Sequence, residues 1–291
     1  MNRFLKFIYE GIRLCRPHQW YKNLLIFLPI VFSKNLLTAE LWSPLILGFI
    51  SLVLISSVNY IFNDAIDYQK DRKNPEKMHR PIASGIISSW RASIIAMLLL
   101  FGALYVSFSL NIIFFYIVIM LFFLTLIYSV YLKNELFADI IIIGINFVLR
   151  TISGSILMNA EISPWVIICV FFFTLFLTVG KRYSEIIFLK DGASNHRKVL
   201  NEYDSKTLNS LMDISTTVFI ITFSIFTFFS QHSQNLIYLV PLFVYVILRY
   251  TWLIRNGSII ARHPEKIYKD KKLFVSLLLF IFLSTLLIYF P

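Results

Sequence analysis

With 291 residues, of which 58% are hydrophobic, 17% aromatic and 15% charged, the chain has a composition that excludes an ordinary soluble domain and indicates an integral membrane protein. Its formal net charge of +11 is better explained by the topology of its loops, by anionic lipid or by an anionic substrate than by nucleic acid. We do not expect nucleic acid as a partner. Cys15 and Cys169 are too few for a disulfide framework or a cysteine-based metal site.

Nine apolar runs are candidate membrane spans, because a bilayer core takes roughly 20 residues per helix. They cover residues 24–40, 44–62, 92–109, 112–131, 138–158, 164–181, 208–229, 236–254 and 273–290. Pro29 and the polar residues 33–35 interrupt the first run, so the count is eight or nine. The first 23 residues carry five Lys and Arg and no apolar core before a cleavage site, so we expect no cleaved signal peptide.

The positions of the basic residues favour nine spans with the N-terminus in the cytoplasm. Lys and Arg near span ends collect on the cytoplasmic side. With nine spans, 25 of the 27 basic residues fall on that side, and only Lys34 and Arg150 do not. We therefore predict one integral domain over residues 1–291, an all-α bundle of about nine transmembrane helices with a polar cavity open to the cytoplasm.

Four oxygen-bearing side chains share one helix face after the second run. At 100° per residue, Asn63, Asp67 and Asp71 lie at roughly 0°, 40° and 80°, with Asp64 at about 100°. Carboxylates crowded in this way repel one another unless cations lie between them, and such oxygen ligands suit Mg²⁺ bridging to a substrate diphosphate. The alternative is a solvated helix end whose acids pair with the basic residues of 70–73. We favour the magnesium site, because polar groups at the end of an apolar span usually line a cavity.

The loop after this helix is basic. Pro75 disfavours helical geometry at Asn74, so we expect the helix to stop there. Lys77 and Arg80 follow, and on a loop that faces the metal they would cover the phosphate charge that Mg²⁺ leaves uncompensated. The alternative is that they only mark the cytoplasmic side of the membrane.

A polar stripe runs along the fifth predicted span. Asn146 and Arg150 each lie about 20° from a whole number of turns after Asp139, and Arg150 stands about 16 Å along the helix, well inside the membrane. An intramembrane arginine is a functional candidate, because an unpaired charge is costly there. The alternative is a structural arginine that pairs with Asp139 or Asn146 through neighbours.

The run from Asn63 to Arg72, continued by Pro75, Lys77 and residues 80–85 (RPIASG), resembles the first aspartate-rich motif of the UbiA-type intramembrane prenyltransferase superfamily. The resemblance implies nine helices around a cytoplasm-facing cavity. The usual second aspartate-rich motif after the sixth span is missing. Four further segments together resemble one branch, the decaprenyl-phosphate phosphoribosyltransferases, which move a phosphoribosyl group from phosphoribosyl pyrophosphate (PRPP) to a polyprenyl phosphate. They are RPHQWYKN (16–23), YSVYLKNELFAD (128–139), GKRYSE (180–185) and HRKVLNEY (196–203).

The resemblance implies Mg²⁺ as the cofactor, with Asn63 and Asp67 as the first candidate ligands, Asp71 next, and Asp64 acting beside them. PRPP carries a diphosphate and a second phosphate, so it requires many cationic contacts. The residues expected to act in catalysis are Asp67, Asp71, Lys77, Arg80 and Lys133. The residues expected to bind substrate are Lys22, Tyr60, Lys77, Arg80, Lys133, Asp139, Asn146, Arg150, Lys181 and Arg182. Tyr60 would lie against the ribose or a phosphate, unless it is an ordinary packing residue.

The expected reaction gives polyprenylphosphoryl-5-phosphoribose and pyrophosphate, for cell-envelope polysaccharide precursors, in the inner (plasma) membrane. Two other functions stay open. An aromatic prenyltransferase with a polyprenyl diphosphate donor loses ground because the second aspartate-rich motif is missing. A transporter for an anionic lipid or metabolite lacks the support of an inverted repeat. The length of the lipid and the oligomeric state, including a homo-oligomer, are left open.

Overall fold

The structure, a computed structural model, describes residues 3–74, 77–189, 198–230 and 234–290, and within these ranges it contains helices and turns and no strand. The α-helices are α1 Arg3–Leu14, α2 Leu28–Phe32, α3 Trp42–Arg72, α4 Ser89–Leu110, α5 Ile112–Val130, α6 Ala138–Leu157, α7 Pro164–Leu189, α8 Ser205–Phe229, α9 Val240–Arg255, α10 Ile259–Arg262 and α11 Lys271–Tyr289. The 3-10 helices are Pro17–Phe27, Ala39–Leu41, Leu132–Asn134, Lys198–Asn201, Gln234–Leu239 and Pro264–Lys269. The predicted all-α fold is confirmed.

Eight helical segments of the described residues are long and apolar enough to cross a bilayer. They are Ala39–Arg72, Ser89–Leu110, Ile112–Val130, Ala138–Leu157, Pro164–Ile187, Ser205–Phe229, Gln234–Arg255 and Lys271–Tyr289. Leu98, Phe101 and Tyr105 form an exposed apolar stripe along α4, and Tyr105 is 77% exposed. Such a stripe is stable against lipid and unfavourable against water. The chain is therefore a multi-pass membrane protein.

The first predicted run, residues 24–40, is not a continuous α-helix, so the described part of the chain contains eight long apolar helices where nine were favoured. The 3-10 helix Pro17–Phe27 is followed by the short α2. Pro29 contributes no backbone donor, and Lys34 has a left-handed backbone with φ of 59°, which ends regular helix soon after α2. The interruptions seen in the sequence therefore do prevent a regular span here.

The segment before α3 nevertheless runs antiparallel to most of that helix. Arg16 pairs with Asp64 in the C-terminal part of α3, whereas the ring of Phe27 lies 5.8 Å from that of Trp42 at its first residue. A 3-10 helix rises about 2 Å per residue, so the eleven residues of Pro17–Phe27 cover about 22 Å. About 15 residues of α-helix would be needed for the same length.

The chain forms two compact units, each made of three stretches of sequence. The first comprises Met1–Leu28, Thr38–Tyr131 and Leu149–Ala160, and the second comprises Pro29–Leu37, Leu132–Val148 and Glu161–Pro291. α6 begins in the second unit and ends in the first. Because the units interleave along the sequence, neither is a continuous domain, and the single domain over residues 1–291 stays a prediction.

Candidate active site

The four predicted metal ligands lie in the last three turns of α3, within the first unit. Asn63 and Asp67 are half-buried and stand one helical turn apart on the same face. Asp64 and Asp71 are buried. α3 ends at Arg72, just before the predicted stop at Asn74. Pro75, which was expected to cause that stop, lies outside the described residues.

Two arginines from outside α3 bind the two buried aspartates. Arg80 Nη1 donates to Asp64 Oδ1 at 2.9 Å and to Asp71 Oδ2 at 2.7 Å. Arg16 also donates to Asp64 Oδ1. The repulsion expected among the acids is therefore relieved by arginines that come from other parts of the chain. The alternative of a solvated helix end, with these acids paired to residues 70–73, does not describe Asp64 and Asp71.

Arg16 is held in place by backbone and side-chain interactions together. It stands between α1 and the 3-10 helix that begins at Pro17, with a left-handed backbone at φ 50° and ψ 63°. An L-residue with a side chain adopts this conformation at some cost, so surrounding contacts must stabilise it. Its guanidinium carbon lies 5.1 Å from the ring centroid of Tyr60, a cation–π contact, in addition to the ion pair with Asp64.

The loop that carries Arg80 is folded tightly onto the end of α3. Arg72 Nε donates to the carbonyl oxygen of Ala83 at 2.8 Å. Ile82 and Ile87 are buried in a core with residues of α3 and α4. Gly85 turns the chain with φ of 77°, a region that glycine enters without steric cost. The RPIASG sequence therefore folds into a turn that presents Arg80 to Asp64 and Asp71.

A second polar cluster of the first unit surrounds Arg150 on α6. Arg150 Nε donates to Asn23 Oδ1 at 2.8 Å, and Ser56 Oγ of α3 donates to the same oxygen at 3.3 Å. The amide nitrogen of Asn146, expected in the same stripe, donates to the carbonyl oxygen of Ile142 in its own helix at 3.0 Å. Arg150 is thus tied to the 3-10 helix before α3, a partner that the sequence did not suggest.

The second unit contains a buried network around Asp139. Asp139 is 0% exposed and Arg182 is 1% exposed, and Arg182 Nε donates to Asp139 Oδ2 at 2.8 Å. The hydroxyl of Tyr203 donates to Asp139 Oδ1 at 2.7 Å and accepts from the backbone N–H of Phe137 at 3.0 Å. Arg182 also pairs with Glu185 at 3.0 Å. Burial and the neighbouring Asp139 raise the pKa of the Tyr203 hydroxyl, which keeps it protonated and able to donate.

The remaining predicted cations are half-buried and divide between the units. Lys22 and Lys77 belong to the first unit, and Lys133 and Lys181 belong to the second. His196 and Arg197, from the HRKVLNEY segment, lie outside the described residues.

Sequence reasoning assigned no role to three residues that the structure places in these clusters, namely Arg16, Asn23 and Tyr203. All three belong to the RPHQWYKN and HRKVLNEY segments, which were recognised only as family resemblances. That resemblance was the one signal that could have pointed to them, because their partners are distant in sequence.

Comparison with known proteins agrees with this fold. The model of the UbiA prenyltransferase family matches residues 26–278. The chain belongs to the UbiA family. Decaprenyl-phosphate phosphoribosyltransferase of Mycolicibacterium smegmatis is 30% identical over 296 residues, which cover 96% of this chain and 92% of that protein. The protein of the same name from Mycobacterium tuberculosis is 27% identical, over 88% of this chain and 86% of its own length.

Solved structures of the UbiA family have the same fold. A UbiA homolog from Archaeoglobus fulgidus bound to GPP and Mg²⁺ has a TM-score of 0.73 at 19% identity, covering 96% of this chain and 99% of that chain. A structure of digeranylgeranylglyceryl phosphate synthase has a TM-score of 0.69 at 16% identity, with 99% of both chains covered. The resemblance predicted from the sequence motifs is thus confirmed, and the Archaeoglobus fulgidus neighbour is bound to Mg²⁺.

The residues of α3 fit such a metal if a substrate completes its coordination. Asn63 and Asp67 offer hard oxygen donors one turn apart, and Mg²⁺ commonly takes one or two protein carboxylates with water and substrate phosphates. Among the described residues, no three His, Cys, Asp or Glu side chains are grouped to hold a metal alone. Asp64 and Asp71 pair with arginines through one oxygen each, Asp64 Oδ1 and Asp71 Oδ2.

Proposed function

We propose that this protein is an enzyme that transfers the 5-phosphoribosyl group of PRPP to a polyprenyl phosphate of the decaprenyl type. The products are polyprenylphosphoryl-5-phosphoribose and pyrophosphate. The observation that carries the proposal is the match over 96% of the chain to a relative that is named for this activity. The arginines of the first unit support it, because PRPP and a lipid phosphate together bring several phosphate groups that need cationic partners.

The C-terminal end of α3 would bind the diphosphate of PRPP. Asn63 and Asp67 are the proposed Mg²⁺ ligands, and the ion would neutralise charge on the departing pyrophosphate. Lys77 and Arg80 stand on the adjoining loop and would contact diphosphate oxygens. Asp71 orients Arg80 through their 2.7 Å ion pair. Arg16 lies over the ring of Tyr60 and so holds that ring beside the cluster. We propose that Tyr60 contacts the ribose.

The proposed chemical step is a single displacement at C1 of the ribose. The bond from C1 to the pyrophosphate oxygen breaks, and its electron pair leaves with the pyrophosphate while C1 gains oxocarbenium character. An oxygen of the lipid phosphate forms the new bond from the opposite face, so the anomeric configuration inverts. A phosphate monoester is ionised near neutral pH, so no general base is required.

The proposed roles differ between the two units. In the first unit, Arg150 lies at membrane depth. There it would contact the phosphate at the head of the lipid acceptor, whose apolar tail lies in the membrane. In the second, Lys133 and Lys181 remain proposed phosphate contacts. Asp139 and Arg182 form a buried ion pair with each other. Direct contact of either with a substrate would require this ion pair to separate.

We propose that the protein lies in the inner membrane with its N-terminus and basic loops in the cytoplasm, where PRPP and Mg²⁺ are available. Basic residues concentrate in these segments, as cytoplasmic loops require. Arg13 Nη2 donates to the carbonyl oxygen of His79 at 3.2 Å, so α1 and the loop after α3 lie on the same side. The product would serve cell-envelope polysaccharide synthesis.

The test uses the purified protein in detergent with Mg²⁺, decaprenyl phosphate and PRPP labelled in the ribose. We expect a labelled lipid and release of pyrophosphate only when both substrates are present. Release that requires instead a polyprenyl diphosphate and an aromatic acceptor would replace the proposal with aromatic prenyl transfer. Movement of an anionic lipid across vesicles, without any pyrophosphate release, would replace it with transport.

A further inference from the structure

The side chain of Asn23 is buried in the first unit with one end lacking a partner. It is 1% exposed, and its Oδ1 accepts from both Arg150 and Ser56. Because a guanidinium has only donors, the Asn23 atom that faces Arg150 must be the carbonyl oxygen, and the amide nitrogen points elsewhere. That nitrogen has no hydrogen-bond partner within the described ranges of the chain.

A second polar atom without a partner lies on α3. Asn59 stands one turn after Ser56 on α3 and is 6% exposed, and its Oδ1 is buried with no hydrogen-bond partner among the described residues. Buried polar groups are nearly always paired, and lipid offers no substitute for water. The unpaired donor of Asn23, whose Oδ1 accepts from the guanidinium of Arg150, therefore points to a ligand with acceptor oxygens.

The chemistry and depth of the cluster identify the class of ligand. Arg150 supplies a positive charge, and Asn23 Nδ2 supplies a neutral donor, a combination that suits the oxygens of a phosphate dianion. Ser56 lies about 10 Å along α3 from Asn63, farther from the helix end than the proposed metal ligands. A phosphate bound here would therefore be separate from the diphosphate at that end.

We propose that Asn23 and Arg150 form a binding site for a phosphate monoester, in which Asn23 orients Arg150 through Oδ1 and donates to the phosphate from Nδ2. The inference rests on the proposed function for its two candidate ligands. They are the phosphate of the polyprenyl acceptor and the 5-phosphate of PRPP, which offer the same chemistry.

The decisive variant is Asn23→Asp. It keeps the shape and the acceptor for Arg150, but it puts a carboxylate oxygen where the donor was. If Asn23 only holds Arg150 and no phosphate binds at this place, Asn23→Asp should work as well as the natural residue while Asn23→Ala is impaired. If Nδ2 binds phosphate, Asn23→Asp should be impaired at least as much as Asn23→Ala. We expect the KM for one substrate to rise about 10- to 100-fold, with kcat within about threefold of the original.

Ser51→Ala is the matched control. Ser51 is also buried on α3, and the substitution removes a 3.0 Å hydrogen bond to the carbonyl oxygen of Ala103, away from Asn23. Both KM values should stay unchanged. A rise confined to the KM for decaprenyl phosphate assigns the site to the acceptor, and a rise confined to PRPP assigns it to the 5-phosphate. Unchanged KM values in Asn23→Asp, or equal rises in both, overturn the proposal.

Ligand binding without turnover separates this inference from the proposed function. Decaprenyl phosphate is compared with decaprenol, and ribose 5-phosphate with ribose, by the melting temperature of the detergent-solubilised protein. We expect either decaprenyl phosphate or ribose 5-phosphate to raise the melting temperature of the natural protein more than its uncharged counterpart does. The same phosphate should not raise the melting temperature of Asn23→Asp. That result supports the site even if no phosphoribosyl transfer is detected. If Asn23→Asp does not fold, Asn23→Ser replaces it. If each phosphate and its uncharged counterpart change the melting temperature of the natural protein equally, the proposed phosphate site is overturned.

Discussion

Asp139→Asn tests whether the buried pair of the second unit stabilises the protein. The substitution removes the negative charge that faces Arg182 at 2.8 Å, and leaves the ion pair of Arg182 with Glu185 in place. Removal of one member of a buried ion pair destabilises a protein by about 3–5 kcal/mol. Glu185 compensates part of the charge, so we expect a loss of about 2–4 kcal/mol. At about 2–4 °C per kcal/mol, the melting temperature should fall by roughly 4–16 °C.

The assay is thermal unfolding in detergent, followed by the fraction of protein that stays monodisperse. The double variant Asp139→Leu with Arg182→Met removes both charges, and a buried pair replaced by apolar side chains is often neutral or stabilising. We therefore expect it to recover at least half of the loss. A single variant that melts within about 2 °C of the natural protein would refute the reasoning. A stable double variant with a raised KM would restore Asp139 and Arg182 to direct substrate binding.

Three further predictions concern other charged groups. Asp67→Asn should abolish nearly all turnover while the protein still folds, whereas Asp213→Asn, at an exposed aspartate, should keep full activity; a normal rate in the former removes Asp67 from the metal ligands. Arg80→Lys should lower kcat/KM at least about tenfold, because an ammonium does not reproduce the planar guanidinium; an unchanged value contradicts its proposed role. The hydrogen bond from Arg249 lowers the pKa of Asp270, so its stabilisation is present above the ordinary aspartate range and is lost as the pH falls through the lowered pKa. The difference in melting temperature between the natural protein and Asp270→Asn should therefore shrink between pH 6 and pH 3, and a constant difference would exclude this ion pair as the cause.

The membrane helices were predictable because a bilayer demands long apolar runs whose backbone groups bond within the segment. The fifth predicted run, residues 138–158, differs from α6 by one residue at its end. The second run, 44–62, stopped ten residues short of the end of α3, since apolarity marks the bilayer core and not the end of the helix. The first run, 24–40, was the weakest predicted span because Pro29 and residues 33–35 interrupt it, and hydropathy alone does not distinguish its 3-10 segment from an α-helix.

The residues by themselves determined that this is a membrane protein, and which acids and cations stand near the ends of its helices. The tertiary structure alone decided their partners. Arg16 reaches Asp64 across 48 residues, and Asp139 meets Arg182 and Tyr203 across 43 and 64 residues. A periodic pattern describes one helix at a time, whereas the cost of burying a charge is offset by whichever side chain another segment brings within hydrogen-bonding distance.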